Sequence, residues 1–244
     1  MRCWRECRFV VALGLGATVV ASRADGAAPT VDAAVVLAAD VSRSINDDEF
    51  VLERQGYAEA IQSSKLMDAI STGPNGAIAL AFVEWPGESE QKVVVDWMVI
   101  RKPDDARAFA AALTGAPLVC RTNGDRLVNR PRLRPVCCDL DRDHRKVIDV
   151  SGDGTSNQGR PVTAARDAAV EAGAVINGLM IFNHRAAAMG GLSGPAYQPS
   201  RRPCALLPRE RDRGGAGAFV VPIDDFGSFG DAMLRKLVSE FARK

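Results

Sequence analysis

Apolar positions along this chain fall into two alternating patterns. Val31 to Ala39 (VDAAVVLAA) is a near-continuous run rich in Val and Ala, which predicts a central strand buried on both faces and ending at Asp40. Ser44-Ile45-Asn46-Asp47-Asp48-Glu49 then supplies a cap and acids for a helix from Asp47 to Ser63, with Phe50, Leu52 or Glu53, Tyr57, Ala60 and Ile61 at helical spacing. Ser71 to Gly76 is rich in turn residues. Ala77 to Glu84 and Gln91 to Ile100 predict two strands joined as a hairpin across Pro86-Gly87. Pro103 opens a helix to Leu113 with Asp104 and Asp105 in its first turn. Lys146 to Val150 predicts a short strand leading into Ser151-Gly152-Asp153-Gly154. Pro161 to Glu171 predicts a helix closed by Gly173, and Ala174 to Phe182 a strand. Phe219 to Pro222 predicts a last strand, and Phe226 to Arg243 a terminal helix with Phe229, Met233, Leu237 and Phe241 on one stripe. This alternation predicts an α/β fold: a doubly wound, mostly parallel sheet with one antiparallel strand and helices on both faces.

Composition narrows the picture. A chain of 244 residues suits one α/β domain, and 47% hydrophobic with 25% charged residues excludes disordered and fibrous classes for most of its length. A net charge of +1 and a pI near 7.6 give no electrostatic case for nucleic acid or an anionic membrane surface. Arg2, Arg5 and Arg8 precede an apolar run from Phe9 to Val20, shorter than the about 20 residues of a spanning helix. Ser22 and Ala24 satisfy the small-x-small cleavage rule. Residues 1–24 therefore read as a signal peptide that carries Cys3 and Cys7 away. A mature domain over 31–244 is expected in the periplasm or secreted, with no stable membrane insertion.

The sharpest chemistry sits where the first strand stops, at Asp40-Val41-Ser42-Arg43-Ser44. A carboxylate and two hydroxyls at the carboxyl end of a strand can point into one loop, and open sheets place their ligand sites at that end. Such oxygens suit a hard cation such as Mg²⁺, which needs only one or two protein carboxylates. Asp153 qualifies as the second acid, because Val147 to Ser151 is a parallel strand that hands it to the same edge. Asp and Ser also cap helices, so the string alone is weak; its place after a buried strand, with a strand-borne Gly-Asp-Gly, favours metal. No Walker or dinucleotide phosphate loop is present.

VDAAVVLAADVSRSI followed by the Asp153 loop resembles a von Willebrand factor A-type domain with its metal-ion-dependent adhesion site. The chain is more similar still to a bacterial family of exported A-type proteins of unknown function. Gln55-Gly56-Tyr57, Val83-Glu84-Trp85, VIDVSGDGTSNQG, Ile176-Asn177-Gly178-Leu179 and GGAGAFV carry that likeness. The resemblance spans Val31 to Lys244. It implies that Asp40, Ser42 and Ser44 ligate the ion and that Asp153 acts from the fourth-strand loop, often through water. It also implies an open coordination position that an Asp or Glu of a protein partner completes, with no turnover. A-type domains add a further hydroxyl from the region before Lys146, where Thr122 is the only candidate in place. The expected function is thus an exported, Mg²⁺-dependent protein-binding module. One alternative is a metal-assisted phosphohydrolase with Asp40 as nucleophile, although Ser42 stands where such enzymes want an acid. Another is a degenerate A-type domain without metal.

The likeness lapses in two arginine-rich stretches, 121–145 and 195–213, which show neither helical nor strand patterning. They read as irregular, solvated loops or as segments translated out of frame. One base later, codons compatible with Leu127-Val128-Asn129-Arg130 permit Ser-Ser-Ile-Gly, a hydroxyl loop just where the site lacks one. Cys120, Cys137, Cys138 and Cys204 lie in or beside these stretches, where export permits a disulfide. His144 and His184 lack zinc spacing and read as surface residues. Trp85 reads as core packing, with a rim role for Glu84-Trp85 as the alternative. Asp149, inside a buried strand, reads as a structural group bonded to its neighbours.

Overall fold

The computed structural model describes residues 29–41, 47–87, 90–117, 144–152, 162–181 and 214–242. The expected leader, Ser42, Ser44, Thr122, Asp153, His184, all six cysteines and nearly all of both arginine-rich stretches lie outside the described residues. The described elements are β1 (Ala33–Asp40), α1 (Asp47–Gln62), α2 (Ser64–Ser71), β2 (Ile78–Gly87), β3 (Glu90–Ile100), α3 (Pro103–Gly115), β4 (Arg145–Gly152), α4 (Val162–Glu171), β5 (Ala174–Ile181), β6 (Val220–Ile223), a 3₁₀ turn (Phe226–Ser228) and α5 (Phe229–Ala242).

The strands form a six-stranded sheet in the order β3-β2-β1-β4-β5-β6. Only the β2–β3 pair is antiparallel; the other pairs are parallel. The chain works outward from β1 to one side and then returns to lay β4 on the other. The carboxyl ends of β1 and β4 therefore flank the point where the winding reverses, the place where open α/β sheets bind ligands. This is the mixed, helix-flanked sheet that the hydrophobic pattern predicts.

Alternation along β1 assigns the two faces. Ala33, Val35, Leu37 and Ala39 pack into the main core with Tyr57 and Ile61 of α1, Leu66 of α2, Phe109 of α3 and Phe229 and Met233 of α5. On the opposite face Ala38 meets Val150, Ile176 and the α4 residues Ala169 and Val170. Gly173 ends α4 with φ +82, a left-handed backbone that glycine reaches without steric cost. Asp105 accepts from the backbone N–H groups of Arg101 and Lys102 at 2.9 and 3.1 Å, which fixes the start of α3 beside Pro103.

Three local departures from the sequence reading share one cause, tertiary pairing that local signals do not show. Residues 64–71, ahead of the predicted break, form α2, whose Leu66, Met67 and Ile70 are buried while Ser63 accepts from the Lys65 N–H at 3.3 Å. Pro86-Gly87, read as the hairpin turn, continues β2. Ser151 and Gly152, read as loop, continue β4, because Ser151 pairs with Ala39 and Leu179 and Gly152 with Met180. On α5 the stripe Phe229, Met233 and Leu237 is buried as predicted, and Lys236 and Glu240 are buried with it.

Candidate functional site

Asp40 is the last residue of β1, beside Trp85 of β2 in register. On its other side lies Gly152, the last residue of β4. A Cβ built on Gly152 would stand 3.1 Å from the Asp40 Cβ and 3.2 Å from its Oδ2, so the missing side chain leaves the room in which this carboxylate sits. Asp153 is the next residue in the chain. The structure thus brings Asp40 against the end of the strand that leads to Asp153. Ser42, Ser44, Asp153 and Thr122 themselves lie outside the described residues. Among the described residues no group of three His, Cys, Asp or Glu could hold a metal ion.

Below this corner, on the main-core face, Ser151 is fully buried. Its hydroxyl donates to Glu53 Oε1 at 2.6 Å and accepts from the Tyr57 hydroxyl at 2.9 Å. Glu53 and Tyr57 are one turn apart on α1, and both are fully buried. Burial first, and then the Glu53 and Asp149 carboxylates, push the Tyr57 hydroxyl far above its ordinary titration range, so it keeps its proton and acts as donor. The Tyr57 ring is wedged edge-on between Phe82 at 4.9 Å and Phe229 at 5.1 Å.

A second buried group ties the end of β2 to α1 and α3. Arg54 pairs with Glu84 at 2.6 Å, and its guanidinium donates to the carbonyl oxygens of Leu113 and Ala116 at the end of α3 and of Pro117. Lys92 donates to the Pro117 carbonyl as well, at 3.0 Å. Glu84 pairs in register with Ala39, so the chain leaves α3 at the same sheet edge that carries Asp40. Burial pushes the Glu84 carboxyl above its ordinary value despite Arg54 and Lys92. A carboxyl raised in the folded state holds its proton longer there than in the unfolded chain. Its stability contribution is therefore complete at low pH and is lost as pH rises through the raised value. We expect the stability advantage of the wild type over Glu84→Gln to shrink between the ordinary carboxylate range and that raised value, in urea unfolding at a series of pH values. A constant difference would refute this.

Several expectations find their place here. Glu84 is an ion-pair partner and not a rim residue, since it is fully buried. Trp85 packs with Ala38 and Val150, as the packing reading has it. Asp149 is structural and pairs with Lys236 of α5. His144 is buried, which corrects its reading as a surface residue, because it directly precedes a central strand. No local pattern in the sequence marks Glu53, Arg54, Ser151 or Lys236 for a polar role. The available signal was Glu53 as an alternative to Leu52 on the helical stripe; Leu52 is 44% exposed, so the acid faces inward.

The topology and the doubly covered sheet match the von Willebrand A-like (VWA) class of α/β fold. Proximal thread matrix protein 1 from the mussel byssus, with a zinc-occupied MIDAS motif, is similar at TM-score 0.53 and 14% identity over 87% of this chain. The chain spans about half, 48%, of the length of that protein. The SpRpn10 VWA domain matches at TM-score 0.48 and 11% identity, over 84% of this chain and 95% of that one. The ArnB paralog VWA2 from Sulfolobus acidocaldarius matches at 0.46 and 11%, over 84% and 44%. No curated protein matches the sequence. Residues 30–244 match the family described as "protein of unknown function (DUF1194)", and the chain belongs to that family.

Proposed function

We propose that this protein is a metal-dependent protein-binding module in which Asp40, Ser42, Ser44 and Asp153 hold a divalent cation, Mg²⁺ by the oxygen chemistry of the donors. The observation that carries the reading is Asp40 seated in the room left by Gly152, at the winding reversal of the sheet and one residue from Asp153. This described part of the site fits a hard cation: its donor is a carboxylate, and the backbone around it is held by paired strands on both sides. Thr122, from the segment that follows α3 in the sequence, is a weaker candidate for a further hydroxyl ligand. The zinc-occupied MIDAS motif named for the mussel protein, which shares this fold, supports a divalent ion in this reading.

A cation bound here supplies a Lewis-acid position that an Asp or Glu carboxylate of a partner protein can fill. The chain's own part is to fix Asp40 at the strand end, on the carboxyl edge of the sheet. Nothing in this role requires turnover, and a phosphohydrolase would lack the acid that belongs at Ser42. The reading includes export, with the partner met outside the cytoplasm after cleavage near Ala24; among the described residues no helix is long and apolar enough to cross a membrane.

Calorimetric titration of the purified chain with Mg²⁺ tests this. The wild type is expected to bind one ion. Asp40→Ala should abolish binding and leave the circular dichroism spectrum unchanged. Gly152→Ala should weaken it, because the new Cβ meets the Asp40 Cβ at 3.1 Å and its carboxylate Oδ2 at 3.2 Å. Equal binding by wild type and Asp40→Ala would refute the site, and capture of a glutamate-rich peptide that survives chelation would refute the mode of binding.

A further inference from the structure

Ser151 occupies a junction of three chain segments. Its neighbour Gly152 lies beside Asp40 at the end of β1, so that a Cβ there would meet the Asp40 Oδ2 at 3.2 Å, and Asp153 lies two residues on. Its hydroxyl bonds to Glu53 and Tyr57 of α1, the helix that follows directly on residues 42–46. A serine hydroxyl carries one proton and rotates freely unless both its donor and acceptor roles are taken. Here both are. Tyr57 donates to it, Glu53 accepts from it, and the Tyr57 ring is itself held by Phe82 and Phe229.

This arrangement is costly for a structural core. A carboxylate, a phenol and a hydroxyl are all fully buried where α1 packs against a sheet face whose core neighbours include Val, Leu, Ile and Phe side chains. Apolar side chains of similar volume would fill the space without the desolvation cost of a buried acid. What the polar set adds is direction: three bonded groups with one geometry at the end of β4. Metal sites depend on such outer partners to hold their ligands in place.

We propose that Glu53, acting through Ser151 with Tyr57 as the second support, is a positioning residue for the metal site. It locks the Gly152 corner against Asp40 and joins the three segments that carry the proposed ligands. The inference rests on the metal-binding reading above. None of the three side chains is required to touch the ion.

The test uses the full chain, Mg²⁺ titration by calorimetry and thermal unfolding without metal. Ser151→Ala is expected to weaken Mg²⁺ affinity about 10-fold, the lower end of what loss of an outer partner costs. Tyr57→Phe, which keeps the ring packing, should weaken it about three-fold. Ile61→Val also loosens the core yet should leave affinity within about twofold, since it shares no partner with the site. Glu53→Gln keeps an acceptor oxygen for Ser151 and should retain more affinity than Glu53→Ala. Wild-type affinity in both Ser151→Ala and Tyr57→Phe, with only a lowered melting temperature, would make the cluster merely structural and overturn the proposal. If Ser151→Ala does not fold, Tyr57→Phe decides alone. Failure of the wild type itself to bind Mg²⁺ would overturn the metal reading, and this inference with it.

Discussion

Lys236→Met is expected to cost about 3–5 kcal/mol of unfolding free energy, the range for removing one member of a buried ion pair. Lys236 reaches from α5 into the core and pairs with Asp149 of β4, and both side chains are fully buried. The ammonium also stands 5.5 Å from the Phe219 ring centroid. Beyond the ion pair, neither Asp149 oxygen has a hydrogen-bond partner among the described residues. Methionine matches the lysine stem in volume, so packing changes little and the loss reflects a stranded carboxylate. Adding Asp149→Leu removes that charge and should recover most of the stability, because a well-packed apolar pair is often as stable as a buried ionic one. The double-mutant cycle, measured by urea unfolding, should show strong coupling. A single-variant loss below about 1 kcal/mol would place the pair in the range of solvated bridges and refute the argument.

A neighbouring contact explains why the pair has a fixed register. Asp149 and Asn177 are aligned on β4 and β5, and Lys236 and Glu240 are one turn apart on α5. Asn177 donates to Glu240 through its side-chain amide and accepts from the Phe219 N–H at 3.0 Å. Arg145 pairs with Glu240 at 3.0 Å from its other side. Sliding α5 along the sheet by one turn would separate both pairs at once, so these polar contacts select one axial position for the helix.

The second large effect belongs to Gly56→Ala, expected to destabilise by about 1–3 kcal/mol, the range for overpacking a filled core. Gly56 lies within α1, where alanine would otherwise gain about 1 kcal/mol of helix propensity. The tertiary contact reverses the sign. A Cβ at Gly56 would stand 2.6 Å from the Phe229 ring and 3.0–3.1 Å from the backbone of Gly230. The ring is itself packed against Tyr57, and the Gly230 backbone cannot yield unless α5 moves away from α1. Gly230→Ala is the informative contrast. Its Cβ would meet the Gly56 Cα at 3.3 Å and Glu59 Oε2 at 3.4 Å, the second a flexible terminus, so its cost should be smaller. Thermal unfolding of the two variants checks the order, and a Gly56→Ala protein as stable as wild type would show that the helices do not approach this closely.

Both effects bear on the site, because α1 carries Glu53 and Tyr57 on the same face that meets α5. An α1 displaced outward by a methyl group at residue 56 would draw Tyr57 away from Ser151. Gly56→Ala is therefore expected to weaken Mg²⁺ binding as well as stability, whereas Lys236→Met acts chiefly on stability.

The sequence by itself determined the layout. A buried strand ending in Asp40, a strand pattern ending at a Gly-Asp-Gly and an Ala-rich helix closed by Gly173 are local signals, and local physics acts on them: apolar runs bury, capping residues stop helices, glycine takes positive φ. These signals fixed the order of elements and put Asp40 at the sheet edge where the strand leading to Asp153 also ends. What only the tertiary structure decided is how polar residues are spent inside. Glu53, Arg54, Glu84, Asp149, Ser151, Lys236 and Glu240 look, residue by residue, like ordinary helix faces or strand ends. Their partners lie tens of residues away: Ser151 to Glu53 spans 98 positions and Arg54 to Glu84 spans 30. A buried charge is tolerable only when its partner arrives from another element, and no window of sequence contains both. Strand ends follow the same rule, since Ser151 and Gly152 become β4 only because β1 and β5 lie on either side to bond them.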